Sequence, residues 1–429
     1  MKDNLLRTPE GVRDIYGYEC ERKTIVMNNI HDVLHLYGNQ DIETPAFEYF
    51  EIFNHDKGSA PSSDMYKFFD RENNTLVLRP DFTPSVARSV AKYFADEELP
   101  IRLCYKGNVF VNTPQHQGKQ SEMTEMGCEL INDASSAADA EMVACIIDCL
   151  KASGLDEFLI EIGEVDYFKG LIEEAGVDYN TEKAIRGYIQ KKDFFGLSDH
   201  VSKLDIPENV KNAFDNFDTL FGGPEMLDKA MGYTTNARAK EAIDRMRRVY
   251  AALSYYHYDQ YINFDLSMIN DYEYYTGIVF SGYTYDIGTP FVRGGRYNDL
   301  LKKYGKDAPS IGFVILIDEL MKALMRQGIP YETMNDTAMI LYDQELQDSA
   351  VALASKLRDK GIDTNLIRKS KRHEEEEYLN YAARYSLSNI YVLMDDKNIR
   401  HLDRLLGTDE IISINDLEAL DEIPYSSPC

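Results

Sequence analysis

The stretch IRLCYKGNVFVNTPQHQGKQSEMTEMGCELI, residues 101–131, decides how this 429-residue chain folds. IRLCYKGNVFV (101–111) and EMTEMGCELI (122–131) read as two antiparallel strands, joined by NTPQHQGKQS, a long, polar, glycine-containing connection. Glu129, flanked by Cys128 and Leu130, falls at an inward position of the second strand. A carboxylate placed there needs a partner.

Working outward, Cys20 to Tyr37 carries Ile25, Ile30, Val33 and Leu34 at helical spacing, with Gly38 placed to end the helix. In IETPAFEYFEIF (42–53), Pro45 argues for an edge or interface position. TLVLRP (75–80) reads as a strand, followed by a helix from DFTPSVARSVAKYF, with Thr83 as N-cap and Pro84 at the first helical position. Residues 135–151 read as an amphipathic helix and FLIEIGEV (158–165) as a strand. About 166–258 is helical and polar, broken at GLSD, IPEN and FGGPE, and reads as a helical insertion. Sheet returns in YINFDLSMIN (261–270), in the strand after EYYTG (273–277) and near Thr284. RGGRYNDLLKKYG (293–305) then turns into a helix, and SIGFVILIDELMKALMRQG (310–328) runs from strand to helix. Residues 330–336 read as a linker between a 1–329 core and a 337–429 unit whose strands alternate with helices, which predicts a small α/β domain with a parallel sheet.

Composition narrows the function. Lys and Arg number 46 against 73 Asp and Glu, giving a net charge of −27. Nucleic-acid binding is driven by phosphate neutralisation, so this balance leans toward a small molecule or a protein partner. Residues 337–429 repeat the bias, with 11 Lys and Arg against 18 Asp and Glu. No apolar run approaches the ~18 residues of a membrane span, and MKDNLLRTPEGVRD lacks the apolar stretch of a signal peptide. The six cysteines form no CxxC pair, as expected of reduced thiols in a cytoplasmic protein. Cys145 and Cys149, one helical turn apart, read as buried thiols. His31 and His35, at i and i+4, supply half a metal site. No third ligand follows in sequence, so a partly exposed helical face is the simpler reading and no metal is expected.

PEGVRD (9–14), the proline of IETPAFE, RPDFT (79–83), the YKGNVF and QHQGKQSEMTEMGCEL blocks, EYYTG and RGGRYNDLL with its following IGF resemble, in order and spacing, the histidyl-tRNA synthetases. The resemblance covers about residues 5–328. It implies an α+β fold: a class II aminoacyl-tRNA synthetase-like antiparallel sheet flanked by helices, with the C-terminal α/β domain in the place of an anticodon-binding domain. It also implies a histidine site. Asp81 and Thr83 match the groups that receive the α-ammonium, Glu129 the carboxylate that accepts from the imidazole, and Tyr274 and Tyr275 the tyrosines along the ring. Glu125 stands where the family usually has a glutamine near the amino acid's backbone.

The catalytic half departs from the family. The expected arginine after Phe110 is Val111, the Gly-Arg further on is Gly118-Lys119, and the arginine ahead of the tyrosine pair is Asn270. The glycine and arginine after Gly312-Phe313 are Leu316 and Glu319. Losing one such electrostatic donor commonly slows a reaction by ~10²–10³. LVLRPDFT, FDLSMIN with its following YYTGI, and GGRYNDLL are similar to a non-catalytic branch, the regulatory subunits of ATP phosphoribosyltransferase. That resemblance implies no catalytic residues and no cofactor. It implies a role in the first step of histidine biosynthesis: a homodimer that joins a short catalytic subunit in a hetero-octamer, activates it and confers feedback inhibition by L-histidine. A divergent histidyl-tRNA synthetase, or a histidine-binding module with another partner, are the alternatives.

Bland readings compete at each position. Asp81 and Thr83 serve equally as helix caps, and on a strand only one of Tyr274 and Tyr275 faces a ligand. VLMDD (392–396) mimics a phosphoribosyltransferase strand with an acidic pair, but continues as KNIRHLD without a phosphate loop.

Overall fold

A computed structural model describes residues 6–53, 61–112, 120–269, 275–285, 287–329, 337–404 and 406–414. The chain forms two compact units, Met1–Ile329 and Pro330–Cys429.

The first unit is built on a nine-stranded sheet. Its strand order is Gln40–Asp41, Ile101–Phe110, Glu122–Ile131, Ser310–Leu316, Val292–Arg296, Ile278–Tyr283, Leu159–Glu164, Ile262–Asp265 and Phe221–Gly222. The stretch 101–131 supplies the long central hairpin, Leu103 facing Glu129 and Tyr105 facing Gly127. The pairs of the central sheet are antiparallel; Gln40–Asp41 and Ile262–Asp265 each join a neighbour in parallel. One face, through Cys104, Met126, Cys128, Ile162, Phe280 and Phe313, is sealed by the helices Tyr18–Leu36 and Ser136–Ala152 and by helices of 165–255. The opposite face is only partly covered, by the helix Thr83–Tyr93, whose Val86, Ala87 and Val90 pack with Phe82, Leu103, Tyr105 and Tyr275. That partial cover leaves room for a site.

Several local expectations are corrected. Val292–Arg296 is a strand and only Leu301–Tyr304 forms a short 3₁₀ helix, so 293–305 opens as sheet instead of turning into a long helix. Its glycines are forced by packing: a Cβ on Gly294 would lie 2.1 Å from the Phe280 ring. GLSD lies inside the helix Phe194–Ser202, whose start is capped by Asp193 accepting from the Gly196 N–H. Thr83 is the first helical residue and not the N-cap, because Asp81 Oδ1 takes the Thr83 N–H at 3.0 Å and releases the threonine hydroxyl for another partner.

The second unit is a five-stranded sheet in the order Asp363–Arg368, Thr337–Tyr342, Asn389–Leu393, Asn398–Asp403 and Thr408–Ser413. Only the first three are parallel; the last two return antiparallel, so the sheet is mixed. The acidic pair of VLMDD makes a turn here. Asp395 Oδ1 accepts from the backbone N–H of Lys397 and Asn398, closing a hairpin with no phosphate cradle.

Candidate functional site

The partly covered face gathers residues from six strands and the start of one helix. Glu129 projects from its strand and is 1% exposed. Three hydroxyls meet its carboxylate: Thr83 Oγ1 donates to Oε1 at 2.8 Å, Tyr105 OH to Oε1 at 3.3 Å, and Tyr297 OH to Oε2. Burial outweighs these bonds and pushes the carboxyl up to about 8. Asp81, two residues before Thr83, adds like charge that raises Glu129 and Glu125 further.

The floor beneath Glu129 is made of glycine. Directly across the sheet lie Gly312, Gly295, Val279 and Gly163 in register. A Cβ on Gly312 would sit 1.6 Å from Glu129 Oε2, and one on Gly295 would sit 2.8 Å from the Tyr275 ring. The missing side chains leave room for that carboxylate and that ring to lie against the sheet, and the space between them is the candidate slot. The adjacent row holds Gly127, Val314, Arg293, Ser281 and Glu161. Beside it opens a cavity of about 910 Å³, lined in part by Arg293, Ser281, Tyr283, Glu161 and Ser267.

Charge in the slot is unbalanced. Glu125 is 8% exposed, and its Oε2 has no hydrogen-bond partner among the described residues. Burial first, then Asp81, lifts the Glu125 carboxyl well above the usual range, while Arg293 and Arg79 pull it down. Arg79 is committed to structure, donating to the carbonyls of Thr44 and Asn108 at 2.8 Å each. The Arg293 guanidinium makes no hydrogen bond or ion pair with another described residue. An orphaned buried acceptor costs about 1–3 kcal/mol, so a cationic donor from a ligand would be welcome beside Glu125 and Asp81.

Of the residues singled out from the sequence, Asp81, Thr83, Glu125, Glu129 and Tyr275 converge on this slot. Tyr274 lies outside the described residues, as do Asn270, Gly118 and Lys119. Sequence reading missed Tyr105, Tyr297 and Arg293. Tyr297 stands in the quoted GGRYNDLL motif, and that placement was the signal available for it. The preceding Arg296 is structural: 2% exposed, it grips the fully buried Asp139 at 2.6 and 2.9 Å and pins the start of the helix Ser136–Ala152.

Residues 11–320 match the histidyl-tRNA synthetase family. An ATP phosphoribosyltransferase regulatory subunit from Acetivibrio thermocellus is 35% identical over 417 residues, 97% of this chain and 99% of the relative. Another, from Ruminiclostridium cellulolyticum, is 35% identical over 398 residues, 92% of this chain and 94% of the relative. The chain belongs to the histidyl-tRNA synthetase-like family of ATP phosphoribosyltransferase regulatory subunits. A solved structure described as an ATP phosphoribosyltransferase regulatory subunit/histidyl-tRNA synthetase from Bacillus halodurans C superimposes with a TM-score of 0.82 at 31% identity, covering 91% of this chain and 99% of that one. A histidyl-tRNA synthetase from Nostoc superimposes at 0.81 with 18% identity, covering 97% of this chain and 98% of that one, a likeness of fold alone.

The positions where the synthetase resemblance expects an ATP clamp hold other groups. Leu316 pairs with Glu125 in register and is 7% exposed, so an isobutyl group fills the space beside that carboxyl. Glu319 faces Lys322 at 2.7 Å on the first turn of the helix Ile317–Arg326. Next to it, Asp318 takes the Thr124 N–H at 2.7 Å and Lys23 at 2.8 Å. These groups satisfy one another.

Proposed function

We propose that this chain is the histidine-sensing regulatory subunit of an ATP phosphoribosyltransferase, serving the first step of histidine biosynthesis without catalytic groups of its own. The observation that carries this reading is the contrast between two sets of residues. Residues whose chemistry suits an amino acid with an imidazole converge on one face of the sheet, while Val111, Leu316 and Glu319 stand where the synthetase resemblance expects arginines and an open glycine to hold a triphosphate. Imidazole is flat and offers an N–H, which suits the Glu129 carboxylate over the Gly312–Gly295 floor. Asp81, Thr83 and the unpartnered Glu125 suit an α-ammonium. Arg293 suits an α-carboxylate, a role for which sequence reading found no candidate.

The partner is a separate short catalytic subunit, activated on assembly and inhibited when histidine binds. Inhibition then requires histidine to bind one state of the assembly more tightly than the other; equal binding to both would shift nothing. Coupling of this kind is typically about 1–3 kcal/mol.

The test is phosphoribosyl-ATP synthesis by the short catalytic subunit, with and without this chain, across a histidine titration in both cases. Stimulation together with new histidine sensitivity is expected. Absence of both would exclude this partner. The second reading, a divergent histidyl-tRNA synthetase, rests on the shared fold and demands histidine-dependent pyrophosphate exchange into ATP, which the charge at Glu319 argues against.

A further inference from the structure

On the helix-covered side of the sheet, away from the slot, a second cluster of ligating groups assembles at the sheet's edge. The helix Tyr18–Leu36 presents His31 and His35 one turn apart. Gly38, at φ 78°, turns the chain back into the edge strand Gln40–Asp41, where Asp41 lies in parallel register beside Cys104. His31 Nε2 is 2.7 Å from Asp41 Oδ1, and His35 Nε2 is 3.1 Å from Oδ2. Cys104 Sγ is 3.5 Å from Oδ1. The four ligand atoms all lie within 4.8 Å of one another. The sequence spacing exposes only the two histidines as a pair; the third and fourth members come from neighbouring strands and are joined by strand register alone.

We propose that His31, His35, Asp41 and Cys104 form a tetrahedral site for a divalent transition-metal ion of the zinc class. Two imidazoles, one carboxylate and one thiolate are all zinc ligands, and four of them suffice to close a tetrahedral site. Thiolate and imidazole select Zn²⁺ and Co²⁺ over Mg²⁺ and Ca²⁺, which take oxygen. Zinc bonds of ~2.0–2.3 Å imply ligand-to-ligand edges near ~3.5 Å, so the widest separation must close by about 1 Å. His35 and Asp41 are exposed and free to make that adjustment, while Cys104, fully buried, anchors the inner corner. Asp41 already turns the Nε2 of both rings toward one point, with hydrogen bonds standing where metal bonds would form. A bound ion would clasp the first helix to the edge of the sheet.

The experiment uses the full chain without added histidines, stripped with a chelator and loaded with Co²⁺ alone. One Co²⁺ per chain is expected, with the intense visible bands of tetrahedral cobalt and a near-ultraviolet thiolate-to-cobalt charge-transfer band, and Zn²⁺ should displace it. Cys104→Ser should abolish the charge-transfer band. His35→Ala, at an exposed position that leaves the core intact, should weaken Co²⁺ binding more than tenfold with an unchanged circular dichroism spectrum. Substoichiometric uptake, a spectrum without charge transfer, or binding indifferent to both substitutions would each overturn the site.

Discussion

In the proposed reading, Arg293 is the residue that would separate recognition of a whole amino acid from recognition of an imidazole. It sits two positions before Gly295 on the same face of its strand and exerts its field on Glu125, and its side chain forms no hydrogen bond or ion pair with another described residue. A charge-assisted pair with a ligand carboxylate is among the stronger single contacts a site can offer. Arg293→Gln should therefore weaken L-histidine binding by roughly tenfold or more, taking ~1.5–3 kcal/mol for a hydrogen bond to a charged group. Histamine, which keeps the ring and the amine but lacks the carboxylate, should bind both proteins alike. Titration calorimetry with the two ligands decides it, and an equal loss for both would remove Arg293 from this role. Its legibility was poor for a physical reason. Nothing in RGGR distinguishes an arginine that faces a pocket from Arg296, which holds Asp139, until the pleat assigns each a face. The hydroxyls around Glu129 were hidden in the same way, since Tyr297 lies 168 residues from the carboxylate it serves.

At the scale of elements, two strands carry an unusual load. Glu122–Ile131 and Leu159–Glu164 bring Glu129, Glu161 and Glu164 into the sheet, and burial lifts them to about 8, 7 and 8 from the usual 4.5. The folded state thus holds protons that the unfolded chain has released. Stability from these groups is complete below about pH 4.5, falls as pH rises, and is spent above about pH 8. The urea midpoint should decline across that window. Glu129→Gln, which cannot titrate and still offers an oxygen to the three hydroxyls, should decline less steeply. Identical slopes for the two proteins would show that Glu129 titrates normally in the fold. The hairpin that creates this environment was legible, because its strands are long and meet in the register that their inward carboxylate implied. The glycine strand Val292–Arg296 was not. Paired glycines leading into YNDLLKKYG read locally as the approach to a helix, and here they answer to Phe280 and Tyr275, neighbours on other segments. Asn398–Asp403 escaped likewise, since KNIRHLD shows its strand character only against Asn389–Leu393.

For the molecule as a whole, a net charge of −27 sets terms for any assembly. Two such chains repel at long range, so association needs a short-range apolar gain, and screening should favour it. Exposed apolar side chains are concentrated early in the chain: Tyr16, Tyr18, Leu36, Phe47, Tyr49 and Phe69 are each more than half exposed. They lie on or beside the first helix and the small sheet of Phe47–Tyr49, Thr75–Leu78 and Lys67–Phe69. A high density of large exposed apolar groups makes this region the candidate for an interaction surface. A homodimer formed through this region is therefore the expected state at micromolar concentration, tighter in moderate salt than in very low salt. Light scattering checks both halves of the statement. A mass near 49.2 kDa at every ionic strength would leave the early apolar groups without a second copy to cover them. A dimer that loosens as salt is added would instead mean that ion pairs, rather than these side chains, hold the copies together.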